Sequence, residues 1–210
     1  MGDLIYLSLW LRDFRTETML RHWKSALEEF PCSPELSGVR SVTIYPLDWG
    51  QTPLLEQAFS PGVDAESVVR LAQEFLHADC AYEAQMNWDL WVPASDSSKS
   101  GWQKAPAVVS VACVGSGFDP EAPENRGDIQ INFGLDTPFL PPEPENVPAV
   151  RPIAPSRPLP ARAIQDNLQQ LLDYVHRLET KLPLLKKLLW CESGENLAEK
   201  IRAVWNRKTS

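Results

Sequence analysis

Asp3-Leu4-Ile5-Tyr6-Leu7-Ser8-Leu9-Trp10-Leu11 is the stretch on which the fold turns. Ile5, Leu7, Leu9 and Leu11 fall on one side of an extended chain, and Leu4, Tyr6 and Trp10 on the other. A strand apolar on both sides belongs inside a sheet rather than at its border. The residues that follow change period. Leu20, Trp23, Leu27 and Phe30 recur at helical spacing, so one stripe of that helix must lie on the sheet. Pro31-Cys32-Ser33-Pro34 stops it, Ser37-Gly38 turns the chain, and Val39 to Tyr45 reads as a second strand.

Working outward, Asp48-Trp49-Gly50-Gln51-Thr52-Pro53 is a turn, and Leu54 to Phe59 a short strand hairpinned on the second. After Ser60-Pro61-Gly62, Asp64 is placed to cap a helix with Glu66 in its first turn. Val68, Leu71, Ala72 and Phe75 form its buried stripe. Tyr82, Ala84, Met86, Trp88, Leu90 and Val92 then alternate with Glu83, Gln85, Asn87, Asp89 and Trp91, a strand with one packed face and one wetter face. The order β-α-β-β-α-β predicts an α+β protein with a ferredoxin-like core, both helices on one face of an antiparallel sheet. Ala107 to Val114 and Ile129 to Leu135 read as further strands that extend the sheet to five or six. Gly115-Ser116-Gly117 between them has neither the third glycine and lysine of a phosphate loop nor a following helix, so it reads as a turn.

Residues 137–160 hold nine prolines in 24 positions. That density sustains neither helix nor central strand and predicts an extended linker between a core domain, 1–136, and a C-terminal segment, 161–210. The segment reads as helical throughout. Ile164, Leu168, Leu171, Leu172, Val175, Leu178 and Leu182 keep one seam; Leu184, Leu185, Leu188, Leu189 and Trp190 follow Pro183; Leu197, Ile201, Val204 and Trp205 form a last stripe. So much apolar surface requires cover. It packs on the sheet face opposite the two helices, self-associates, or docks on a partner.

Charge narrows the function. The chain of 210 residues carries a formal net charge of −8. Residues 1–93 hold 6 Lys and Arg against 14 Asp and Glu, whereas residues 161–210 hold 9 against 6. An acidic body disfavours nucleic acid, which needs clustered cations against phosphate. No apolar run approaches the roughly eighteen residues of a membrane span, and no signal peptide is visible. Cys32, Cys80, Cys113 and Cys191 form no close pair and read as buried thiols of a reducing compartment, so a cytoplasmic location is expected. His22, His77 and His176 fall on helices or helix ends with no second ligand at metal spacing, and read as surface or helix-end side chains. Asp48, Asp89 and Asp128 lie near strand ends without a paired-carboxylate motif. No catalytic, cofactor or metal site is expected.

What remains is an acidic and aromatic surface. Tyr45, Asp48, Trp49, Asp89, Trp91 and Trp102 lie at strand ends or on the wetter face. Large rings supply contact area while carboxylates steer a basic protein. The same rings would instead be core if the C-terminal helices capped that face. The expectation is non-catalytic protein binding, as in an immunity-type inhibitor, an adaptor or a regulatory subunit, with Leu185, Leu189 and Trp205 as a second contact or a means of self-association. The alternative is an enzyme or small-molecule sensor with a carboxylate-lined pocket between the sheet and the C-terminal helices.

Overall fold

A computed structural model of the protein describes residues 2–93, 102–120, 126–140, 159–194, 197 and 199. In chain order the elements are β1 (Leu4–Leu11), α1 (Thr16–Glu28), β2 (Val39–Pro46), β3 (Leu55–Val63), α2 (Ala65–Gln73), β4 (Cys80–Pro93), β5 (Trp102–Val114), β6 (Ile129–Leu135), α3 (Leu159–Lys181) and β7 (Leu184–Cys191). A tight turn at Thr137–Phe139 follows β6 and buries Phe139.

The seven strands form one sheet in the order β3-β2-β4-β5-β6-β1-β7, every neighbouring pair antiparallel. The α+β class is as the sequence predicts, but the strand order differs from the ferredoxin-like one, and the sheet is larger than expected. β1 lies apart from β2, with β4, β5 and β6 between them. The cause is local. β4, β5 and β6 follow one another as a meander, and consecutive strands tend to pair. β5 takes the edge of β4 over thirteen residue pairs, from Ala81↔Val114 to Pro93↔Trp102. That leaves β1 to pair with β6 and, on its other side, β7. Two similar units result: β3 and β4 flank β2 and are joined through α2, while β6 and β7 flank β1 and are joined through α3.

α1, α2 and α3 lie on one face. Ile5, Leu7, Leu9 and Leu11 pack with Val42, Ile44, Tyr82, Trp88, Val111 and Ile131 against Leu20, Trp23 and Leu27 of α1, Val68 of α2, and Leu171, Tyr174 and Leu178 of α3. Placement on the opposite face, one of the three alternatives for the C-terminal segment, is therefore corrected for α3; residues 200–210 lie outside the described residues. The segment's all-helical character is corrected too: Leu184–Cys191 is a strand. Pro183 ends the helical seam, and the outer edge of β1 offers backbone partners that a helix could not use. α3 also completes α1. The last carbonyls of a helix lack intrahelical donors; Tyr174 Oη donates to Ala26 O at 3.0 Å and Arg177 Nε to Glu29 O at 3.2 Å. Residues 141–158, most of the expected linker, lie outside the described residues.

The buried histidine is a further correction. His22 is 5% exposed, its Nε2 3.2 Å from Asp13 O, rather than on the surface. No disulfide joins the cysteines, and Cys80 and Cys113 are buried. No helix among the described residues is long and apolar enough to cross a membrane.

Candidate protein-binding face

Three turns meet at one end of the sheet: Leu47–Pro53 after β2, His77–Asp79 before β4, and Gly115–Asp119 after β5. Backbone bonds lace them together. Leu47 N donates to Asp79 O at 2.7 Å, Asp119 N to Leu47 O at 2.6 Å, and Gly117 N to Ala78 O at 2.8 Å. Gly115 is required for this closeness, since a Cβ there would stand 2.2 Å from Ala78 O. The Gly-Ser-Gly turn is thus a packing device.

Held at both its N–H and its C=O, Leu47 adopts φ +62°. This left-handed conformation is strained for a residue with a bulky side chain. Its side chain nevertheless points outward, 54% exposed. Asp48 closes the turn: Oδ1 accepts from Gly50 N at 2.7 Å and Oδ2 from Gln51 Nε2 at 3.0 Å. The Gln51 bond, then that from Gly50, holds its carboxyl below the usual aspartate value.

Trp49 is 38% exposed and lies edge-on between Tyr45, 5.1 Å away, and Phe118, 5.0 Å away. Ala81, Ala112 and Val114 form the floor beneath Phe118 and Tyr45, their small side chains leaving room for the rings on the open side of the sheet. Leu54, 50% exposed, extends the apolar surface. Carboxylates surround it. Burial raises the Tyr45 hydroxyl pKa, and the charges of Glu83 and Glu56 raise it further. Arg126 lies against Phe118 but is engaged within the cluster, donating to Phe118 O at 2.9 Å and Asp119 O at 3.2 Å.

The open face continues from this ledge as a polar lane. Thr43, Glu83 and Gln130 stand in one row across the sheet with buried Ala112 and Ser8, and Ser41, Gln85, Ser110, Asn132 and Tyr6 form the next row. At the β7 border Trp190 stacks on Tyr6 at 4.7 Å and donates from Nε1 to Ser8 Oγ at 3.0 Å, and Lys186 lies 4.3 Å over the Trp10 ring.

The residues singled out from the sequence do not converge. Asp48 and Trp49 belong to the ledge. Asp89, Trp91 and Trp102 sit at the other end of the β4–β5 hairpin; from Ala81 to Trp91 is roughly 33 Å of strand. There Lys104 lies 5.7 Å over Trp91, and Trp91 and Trp102 line a concavity of about 230 Å³ with Arg162, Ala163 and Asp166. Asn167 stands in for a missing strand along this edge, donating to Trp91 O at 2.8 Å, accepting from Trp91 N at 2.9 Å and donating to Pro138 O at 2.8 Å. Leu185, 70% exposed, and half-buried Leu189 lie on β7, and Trp205 is outside the described residues. Asp128 does not join Asp48 and Asp89; its Oδ2 accepts from Leu11 N at 2.7 Å.

Sequence reasoning missed Leu47, Leu54 and Phe118. No composition signal marks a left-handed leucine, but Phe118 directly after a glycine turn was a legible cue that the turn is anchored by a ring. Among the described residues no group of three or more His, Cys, Asp or Glu is arranged to hold a metal. His77 Nδ1 is 2.5 Å from Asp79 Oδ1, and Cys80 Sγ is 3.7 Å from the same oxygen. Burial, and then the Asp79 charge, push the Cys80 thiol up to about 11. It stays protonated at neutral pH, the opposite of what a nucleophilic cysteine needs. Compared with protein-family models, curated proteins and solved structures, the chain matches none.

Proposed function

We propose that this chain is a non-catalytic protein-binding protein, acting as an immunity-type inhibitor, adaptor or regulatory subunit, and that it receives a basic partner on the Leu47–Trp49 ledge. The observation that carries this reading is Leu47: a strained, left-handed leucine held out to solvent beside Trp49. Strain of that kind costs on the order of 1–3 kcal/mol and persists where surrounding structure enforces it, typically at functional sites. Exposed leucines and a tryptophan supply desolvated contact area, while Asp48, Glu56 and Glu83 favour Lys or Arg opposite them.

The test is affinity capture from the native cell, comparing wild type with Trp49→Ala and Glu83→Lys at low and moderate salt. A basic protein retained in stoichiometric amount by wild type, weakened by salt and lost from both variants, is the expected result. Equal retention by all three places the contact elsewhere. The concavity walled by Trp91, Trp102, Arg162 and Asp166 favours a second reading, a sensor for a small flat ligand. A thermal-shift screen of metabolites addresses it, a hit abolished by Trp102→Ala being the supporting outcome.

A further inference from the structure

We infer that β7 pairs edge to edge with β7 of a second copy of this chain, about a two-fold axis at Leu188, so that the two sheets become one. The two borders of the sheet differ in how they treat a neighbour. β3 contains Pro61, shifts register against β2 between Val39 and Ser41, and exposes Glu56 and Gln57. Proline, irregularity and charge are the devices that keep an edge from pairing. β7 contains no proline, its register shift against β1 falls at its start, between Leu184 and Lys186, and its exposed lysines are both engaged, Lys186 over the Trp10 ring and Lys187 with Glu179; among the described residues no strand pairs on its outer side.

Its backbone directions can be assigned. Glu192 N donates to Leu4 O at 2.9 Å. Hydrogen-bonding direction alternates along an antiparallel strand, so Trp190, Leu188 and Lys186 turn theirs to β1. Lys187 and Leu189 then turn their N–H and C=O outward. The side chains of Lys186, Leu188 and Trp190 share the open face with Trp10, Ser8 and Tyr6.

A two-fold axis perpendicular to the sheet keeps both open faces on one side, and this restricts the register to those in which one residue meets its own counterpart. Centring on Lys187 would set lysine directly against lysine, which is unfavourable. Centring on Leu188 brings leucine to leucine and places Lys186 beside Trp190 of the second copy, where cation and ring attract. It also lets Lys187 and Leu189 exchange their outward backbone bonds with Leu189 and Lys187 of the second copy. Lys187 is already neutralised on the helix side by Glu179. Of these two registers, the one centred on Leu188 is self-complementary.

The experiment is light scattering of the full chain over a wide concentration range, with two cysteine variants under oxidising conditions. A doubled mass at high concentration is expected, with Leu188→Cys trapping a disulfide-linked dimer, since directly opposed residues lie within disulfide reach. Lys187→Pro removes an outward N–H together with the exposed Lys187–Glu179 ion pair, and is expected to give a folded monomer with an unchanged circular dichroism spectrum. A monomer at every concentration overturns the inference. So does a disulfide dimer formed by Lys187→Cys and not by Leu188→Cys, which would mean another register, or a dimer undisturbed by Lys187→Pro. None of these changes touches the ledge, so they leave the proposed partner site intact.

Discussion

At Leu47, stability and the proposed partner contact can be tested apart. Leu47→Gly removes the left-handed strain but adds backbone freedom to the unfolded chain, and these effects nearly offset. Stability is expected to stay level or rise by up to about 1 kcal/mol in urea unfolding, while partner capture falls because the exposed side chain is gone. Loss of stability would mean that the leucine side chain packs usefully at home. Asp128 makes a second residue-scale case. Burial raises its carboxyl above the ordinary value, outweighing the Leu11 N–H bond and the attraction of His22 and Arg126. The folded chain therefore holds this proton to higher pH than the unfolded one. Asp128 thus favours folding at low pH, and that contribution is lost as pH rises from about 4 through the raised value. Asp128→Asn keeps an acceptor for Leu11 N–H and should flatten that segment of the stability–pH curve. A curve unchanged in slope would contradict the assignment.

At the scale of elements, α3 holds the sheet through a few polar contacts set in apolar packing. Tyr174→Phe leaves Ala26 O without its donor at the end of α1 and is expected to cost about 1–2 kcal/mol. Asn167→Ala strips three bonds from the β4 edge and the Pro138 carbonyl, and about 2–3 kcal/mol is expected, read from urea unfolding. Values near zero would show that water replaces both side chains without loss. These contacts also mark what the sequence could reveal. The stripes Leu20-Trp23-Leu27 and Tyr82-Ala84-Met86-Trp88 were legible because period follows directly from burial. β7 was not, because Leu184-Leu185-Lys186-Lys187-Leu188-Leu189 fits helical spacing as well as strand. Its conformation is decided by the open edge of β1, more than 170 residues away in sequence. The strand order was equally hidden, since pairing partners are chosen among edges that exist only after the β4–β5–β6 meander has formed.

For the whole molecule, putting α1, α2 and α3 on one face leaves the other face open among the described residues, and this is what turns scattered rings into candidate surfaces. Asp48 and Trp49 could be read from their turn; their separation from Trp91 and Trp102 could not, because it depends on the length of the β4–β5 hairpin. The charge of the ledge and the polar lane beside it suit a partner that presents Lys and Arg along one side, while the β7 border is apolar and basic and suits its own copy. The most direct measurement is hydrogen–deuterium exchange of the full chain with and without the captured partner. Slowed exchange is expected in Leu47–Pro53 and Gly115–Asp119, with the Trp91 and Trp102 end unchanged. Protection confined to that far end, or a chain that recovers no stoichiometric partner at all, would contradict the account.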